Sequence, residues 1–162
     1  VIDIFNHFIT HGFAAYPDQP VPYEFFDRFL QITQGSPAFV AKVASGQVVG
    51  FGFLRPFHPA DTLRRTAELT YFLSPEFTKR GIGTALLETI LDGLKPYNPL
   101  KLRATTTNER PYSIAFLGQH GFDRLPQKPP AVEVWNDDRQ QRRAAHAFSL
   151  SSFRPFARAA FH

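Results

Sequence analysis

At 162 residues, with 43% hydrophobic and 20% charged side chains, the chain has the size and composition of one folded domain with a sizeable core. It has no cysteine, which excludes disulfides and thiolate chemistry, and no apolar run of the roughly eighteen residues that a membrane-spanning helix needs. The net charge is +4, and residues 136–162 carry five arginines against two aspartates, or +3 of it; the nearly balanced body argues against a broad nucleic-acid surface.

No signal-peptide pattern is visible, so a cytoplasmic protein is expected. The chain opens on Val1 inside a predicted helix and contains no methionine, which points to a truncated start. That helix is predicted over 1–13, because Ile2, Phe5, Phe8, Ile9 and Phe13 share a face. Three prolines make 16–22 a loop. A second helix is predicted over 23–34, with an apolar side of Phe25, Phe26, Phe29, Leu30 and Ile32, and Gly35-Ser36-Pro37 breaks it. A hairpin follows: a strand over 38–44, a turn at Ser45-Gly46, and a partner strand over 47–54 rich in Val and Phe. Residues 55–65 form a proline-containing connection.

Residues 68–94 are the stretch that carries chemistry. Ala67, Leu69, Tyr71 and Leu73 alternate with Glu68, Thr70 and Phe72, which is the period of a strand. Ser74-Pro75 ends it. After the loop Thr78-Lys79-Arg80-Gly81-Ile82-Gly83-Thr84, the residues Ile82, Leu86, Ile90 and Leu94 recur at helical spacing, with Leu87 and Leu91 beside them. Gly93 and Pro96 are expected to stop this helix. Glycines without a Cβ let backbone N–H groups converge, and a helix N-terminus adds unpaired donors and a positive dipole end. Strand, glycine loop and helix together predict an anion site, most often for phosphate, with Lys79 and Arg80 at its rim. The loop is not a Walker A motif, since no Gly-Lys-Ser/Thr follows, and not a dinucleotide loop, since Leu86 stands at the third glycine position. A glycine-bearing turn before an ordinary surface helix is the alternative that the loop alone leaves open.

A strand is then predicted over 100–106, a turn over 108–111, and a short helix over 112–120 ending at Gly121. Further strands are predicted over 132–135 and 145–150, and the basic run 139–143 reads as solvated surface. The order of elements gives an α+β (mixed α/β) layered domain.

The frame Thr78-Lys79-Arg80-Gly81-Ile82-Gly83 resembles the acyl-coenzyme A pyrophosphate loop of the GNAT N-acetyltransferase superfamily, Gln/Arg-x-x-Gly-x-Gly/Ala, with Thr78 departing at its first position. Other stretches resemble the phosphinothricin acetyltransferase branch: Ile4-Phe5-Asn6-His7-Phe8-Ile9, Pro20, Val49-Gly50-Phe51-Gly52, Thr66-Ala67-Glu68 with Tyr71, Asn108, Ser113-Ile114 and Gly121-Phe122. The resemblance spans 1–122 of a single domain over 1–162; residues 123–162 match poorly. It implies a central mixed, mostly antiparallel sheet flanked by helices, with the superfamily's first strand missing.

The resemblance also implies a reaction: acetyl transfer from acetyl-CoA to the primary amine of a small amino acid-like acceptor, by direct attack on the thioester. No metal, nucleic acid or membrane partner is implied, and homodimers are common in this branch. By analogy, residues 79–84 take the pyrophosphate and Thr78 stands at the frame's side-chain contact. In the family the strands splay here, and Thr70 to Leu73, with Phe72 and Leu73 among them, present a free backbone edge to the pantetheine, with a backbone N–H near Phe72 as oxyanion donor. Asn108 and Ser113 hydrogen-bond the pantetheine arm, and Glu68 is the general base. The bland reading of Glu68 is an edge carboxylate paired with Arg64 or Arg65. Tyr16 and Phe25 border an acceptor pocket. His7, His11, His58 and His120 have no metal-site spacing and read as surface or pocket-lining imidazoles.

Two departures favour an alternative, a GNAT-like domain that binds CoA or a partner without efficient turnover. Four residues separate Asn108 from Ser113 where the family has about two. Leu117, which cannot donate a proton, stands where many relatives have the tyrosine that protonates the leaving thiolate; Tyr112 is nearby but does not match the motif. A basic nucleic-acid-binding domain using the arginine-rich tail is a third reading.

Overall fold

The computed structural model describes residues 1–12, 15, 17–61, 65–94, 101–107, 111–124 and 145–150. In chain order the elements are α1 (Ile2–Thr10), α2 (Phe25–Ile32), β1 (Ala38–Lys42), β2 (Val48–Pro56), β3 (Thr66–Leu73), a 3-10 turn at Pro75–Phe77, α3 (Ile82–Leu94), β4 (Lys101–Thr107), α4 (Pro111–Gln119), β5 (Asp123–Arg124) and β6 (Ala145–Leu150). The strands form one sheet in the order β1-β2-β3-β4-β6-β5. Only β3 and β4 are parallel, and α3 is the crossover between them; the other pairs are antiparallel. The expected mixed, mostly antiparallel sheet flanked by helices is therefore present.

Glycine and phenylalanine alternate along β2, and that alternation decides how the helices lie. Gly50, Gly52 and Leu54 face α3, while Phe51 and Phe53 face α1 and α2. A Cβ on Gly52 would stand 2.6 Å from the Ile90 Cδ1, so the missing side chain is what lets α3 settle onto the strand. The α3 stripe of Leu86, Leu87, Ile90, Leu91 and Leu94 is buried against Leu54, Leu69 and Leu102. Each such side chain contributes on the order of 1.5–3 kcal/mol by leaving water. The other face is aromatic: Phe5, Phe29 and Phe72 meet edge to face, with ring centroids 5.1 and 5.6 Å apart.

α3 ends at Leu94, within the stop expected from Gly93 and Pro96, although Gly93 itself is still helical. The helix runs through it to the buried Leu94. A Cβ there would stand 3.1 Å from both Pro37 and Phe39, so Gly93 is a close-packing position under β1. Gly121 does end α4 as expected. Its φ is +79°, the Phe122 N–H donates to the Leu117 carbonyl and the Gly121 N–H to the Gly118 carbonyl, the paired bonds of a Schellman cap. The strand predicted over 145–150 is β6, between β4 and β5. The strand predicted over 132–135 and the basic run 139–143 lie outside the described residues. Among the described residues, no helix is long and apolar enough to cross a membrane.

Candidate active site

The two parallel strands part company halfway along. Pairing runs from Thr66↔Lys101 to Leu69↔Ala104 and then stops. Beyond that point β3 stays with β2, through Thr70↔Phe53 to Leu73↔Gly50, while β4 stays with β6, through Thr105↔Ala147 to Thr107↔Ala145. The result is a wedge between the C-terminal halves of β3 and β4, which leaves facing backbone groups without a ladder partner.

The phase of the ladder tells which groups face the wedge. At one end of the β2–β3 pair the Ser74 N–H donates to the Val49 carbonyl, and at the other the Phe57 N–H donates to the Thr66 carbonyl. With no register break between them, the even-numbered residues of β3 exchange bonds with β2. Phe72 is one of these. Its amide is directed to Phe51 and its ring lies in the aromatic core. The groups that face the wedge belong to Tyr71 and Leu73. Within the expected stretch Thr70 to Leu73, the backbone N–H groups that face the wedge are thus those of Tyr71 and Leu73, and that of Phe72 faces β2.

The loop after β3 sits over the same end of the sheet. Lys79 and Gly81 take left-handed backbone conformations, with φ of +60° and +75°. The first helical bond of α3 runs from the Ala85 N–H to the Gly81 carbonyl at 3.0 Å. The amides of Ile82, Gly83 and Thr84 have no hydrogen-bond partner among the described residues, as a helix start requires. A Cβ added to Gly81 would meet nothing within 4 Å, so the space before the loop is open. Arg80 stacks its guanidinium over Phe77 at 5.2 Å. Thr78 turns inward: its hydroxyl donates to the Pro75 carbonyl at 2.8 Å and closes the 3-10 turn. That internal bond accounts for Thr78 differently from the family frame, whose first position has a longer side chain.

The start of α4 borders the wedge from the other side. The Lys79 ammonium lies 5.2 Å from the centre of the exposed Tyr112 ring, so loop and helix approach one another across the opening. Ser113 is half-buried in the first turn of α4. Leu117 is buried in the α3–α4 core and can supply no proton. Asn108 lies outside the described residues, as does Tyr16. Besides the exposed Tyr112, a second and less exposed phenol near the loop is that of Tyr71. Its ring stacks on Phe116 with centroids 5.8 Å apart, and its hydroxyl comes up against Gly83. Burial pushes that phenol up to about 12.

Glu68 is on the opposite face of β3, with the aromatic core. It pairs with Arg55, directly across on β2, with Nη2 to Oε2 at 2.5 Å; Arg64 lies outside the described residues. The Glu68 side chain is 15% exposed, so one edge of the carboxylate remains reachable. Phe25 packs beside the aromatic core under α1. His7 and His11 stack one turn apart at 4.5 Å, and among the described residues no three His, Cys, Asp or Glu side chains group as metal ligands.

Residues 1–122 match the model of the acetyltransferase (GNAT) family. An L-methionine sulfoximine/L-methionine sulfone acetyltransferase from Pseudomonas paraeruginosa is 23% identical over 144 residues, which cover 85% of this chain and 83% of that protein. A GNAT superfamily phosphinothricin acetyltransferase from Sinorhizobium meliloti, solved in complex with acetyl-CoA, superposes with a TM-score of 0.78 at 25% identity, covering 92% of this chain and 80% of the other. The Salmonella typhimurium protein yncA, also solved with acetyl-CoA, superposes with a TM-score of 0.75 at 22% identity, covering 99% and 90% of the two chains.

Proposed function

The chain belongs to the GNAT acetyltransferase family, and from that membership we propose that it transfers an acetyl group from acetyl-CoA to the primary amine of a small amino acid-like acceptor. The names of the relatives, a phosphinothricin acetyltransferase and an L-methionine sulfoximine/L-methionine sulfone acetyltransferase, support that acceptor class. One observation carries the site assignment: β3 and β4 separate after Leu69 and Ala104, directly below the unpaired amides that open α3.

The described residues fit acetyl-CoA. The Tyr71 and Leu73 backbone edge offers a ladder to the amide groups of a pantetheine arm. The amides of Ile82, Gly83 and Thr84 point from a helix start into the open space at Gly81, where a diphosphate would be held with Lys79 and Arg80 at the rim. Acetyl-CoA supplies the activated acyl group as a thioester. Residues of this chain supply the rest. The free N–H of Tyr71 or Leu73 polarises the carbonyl oxygen on which charge develops. Glu68, across the sheet, takes the proton from the incoming ammonium directly or through water. Asn108 and Ser113 keep their proposed contacts to the pantetheine arm.

With Leu117 in the core, the leaving thiolate takes its proton from water. Leu117 also favours the second reading, a domain that binds acetyl-CoA without efficient turnover. Thiol release over a panel of amino acid-like amines separates the two: release with at least one amine supports the enzyme, while calorimetric binding of acetyl-CoA with no release from any amine supports the binder. Absence of binding at millimolar acetyl-CoA overturns both. The same reading carries a cytoplasmic homodimer whose residues 1–162 form one domain. Light scattering tests the dimer, and the mass of a single chain removes it.

A further inference from the structure

We propose that Arg103, stacked on Phe57 beside Glu68, binds the carboxylate of the amine acceptor. The proposal rests on the acetyl-transfer reading and adds to it the group that selects the acceptor.

Three charged residues form a row across the sheet. Arg55 is opposite Glu68 in the β2–β3 pair, and Glu68 is opposite Arg103 in the β3–β4 pair. Opposed residues share a face, so an arginine flanks the carboxylate on each side, one strand spacing or about 4.8 Å away along the row. Arg55 is committed to Glu68 through its ion pair. Arg103 meets no carboxylate among the described residues, and one cation on this half-buried row is left in excess.

The guanidinium of Arg103 is nevertheless held in place. It lies 4.3 Å from the centre of the Phe57 ring, two strands away. Phe57 is itself anchored where its N–H donates to the Thr66 carbonyl and extends the β2–β3 ladder. A guanidinium whose face is covered by an aromatic ring keeps its in-plane N–H donors available, and that fork matches a carboxylate.

Position gives the fork its use. Arg103 is next to Ala104, the last residue of β4 paired to β3 before the wedge opens, and it shares its face with Glu68. In an α-amino acid a single carbon separates the amine from the carboxylate. A carboxylate gripped by Arg103 therefore sets the amine beside Glu68, one row of the sheet before the wedge opens. An amine without the carboxylate would leave this cation unmatched and gain no such alignment.

The test pairs two acceptors, L-methionine sulfone and the amine that differs only by loss of its carboxylate. In the wild type the sulfone is expected to have the lower KM. Arg103→Met should raise the KM for the sulfone by about tenfold to a hundredfold, the range for loss of a charge-assisted hydrogen-bonded pair. The KM for acetyl-CoA and for the decarboxylated amine should stay within about twofold on the same scale. Arg103→Lys, which keeps the charge and loses the fork, should fall between. Equal changes for both acceptors, or none, overturn the assignment. If the wild type acetylates neither amine, acetyl transfer to this class fails by that result alone. The Arg103 site is then decided by calorimetry of L-methionine sulfone into the CoA-loaded protein. Binding that Arg103→Met abolishes upholds the site; binding that is unchanged, or absent from the wild type, overturns it.

Discussion

The Tyr71 hydroxyl oxygen lies 2.5 Å from the point where a Cβ on Gly83 would stand. The second glycine of the loop is therefore required by a neighbouring side chain of this protein as well as by any ligand. Gly83 is in the first turn of α3 and has no left-handed backbone angle, so alanine there is unobjectionable to the backbone itself. Gly83→Ala should destabilise the fold by about 1–3 kcal/mol, the range for an overpacked site, and should weaken acetyl-CoA binding by moving the amides at the start of α3. Removing the hydroxyl should relieve the clash. In a Tyr71→Phe background the same alanine should cost much less, which denaturant unfolding of the four proteins in the cycle measures. Additive losses would show that the two residues do not meet.

Tyr71 also gives the molecule a signature at high pH. Burial raises its folded-state pKa from the ordinary value of 10.0 to about 12. A raised pKa means that the contribution to stability is intact below the unfolded value and is lost as pH climbs through the folded one. Between pH 10 and about 12 the unfolded chain ionises first, and stability should drop by about 2–3 kcal/mol relative to Tyr71→Phe. Thermal unfolding of both proteins across that window isolates the tyrosine from the other groups that titrate there. Parallel curves would mean that the phenol is as well solvated folded as unfolded.

Much of this arrangement is legible in the chain itself, because its signals are local. The alternation of Ala67, Leu69, Tyr71 and Leu73 and the helical recurrence of Leu86, Leu87, Ile90, Leu91 and Leu94 are patterns of burial on one face, and burial sets both elements. Gly121 reads as a cap because only the left-handed region closes that turn. Gly93 marks the end of α3 to within a residue, but its second use, close packing against Pro37 and Phe39, is not legible from the residue type. The pairing of Glu68 with Arg55 is invisible for a related reason. Thirteen positions separate them in the sequence, and only the β2–β3 register brings them together. The wedge is a failure of pairing between strands, and no residue type spells it.

Gly81 offers the most direct test of the loop. Its φ of +75° is one that a β-branched residue adopts only under strain, and an added Cβ would meet no atom of the described residues within 4 Å. Gly81→Val should thus strain the loop by about 1–2 kcal/mol and project a side chain into the opening proposed for the diphosphate. The dissociation constant for acetyl-CoA should rise by about tenfold or more, while the melting temperature shifts by only a few degrees. Unchanged affinity in a folded variant would count against the loop as the diphosphate cradle.

Glu68 poses a question that one substitution cannot settle, because the carboxylate is at once the proposed base and the partner of Arg55. Glu68→Gln removes the base and weakens the ion pair together. Arg55→Met breaks the same ion pair and leaves the carboxylate in place. On the proposed role, Glu68→Gln lowers kcat by about a hundredfold or more, with acetyl-CoA affinity nearly unchanged. The loss should be deepest at the low end of a pH profile, where more of the acceptor arrives as ammonium and a proton acceptor matters most. Arg55→Met should keep most of kcat, since the oxygens that receive the proton remain. Equal losses in the two variants would assign Glu68 to holding the strand pair together, and equal rates for Glu68→Gln and the wild type would exclude it as the base.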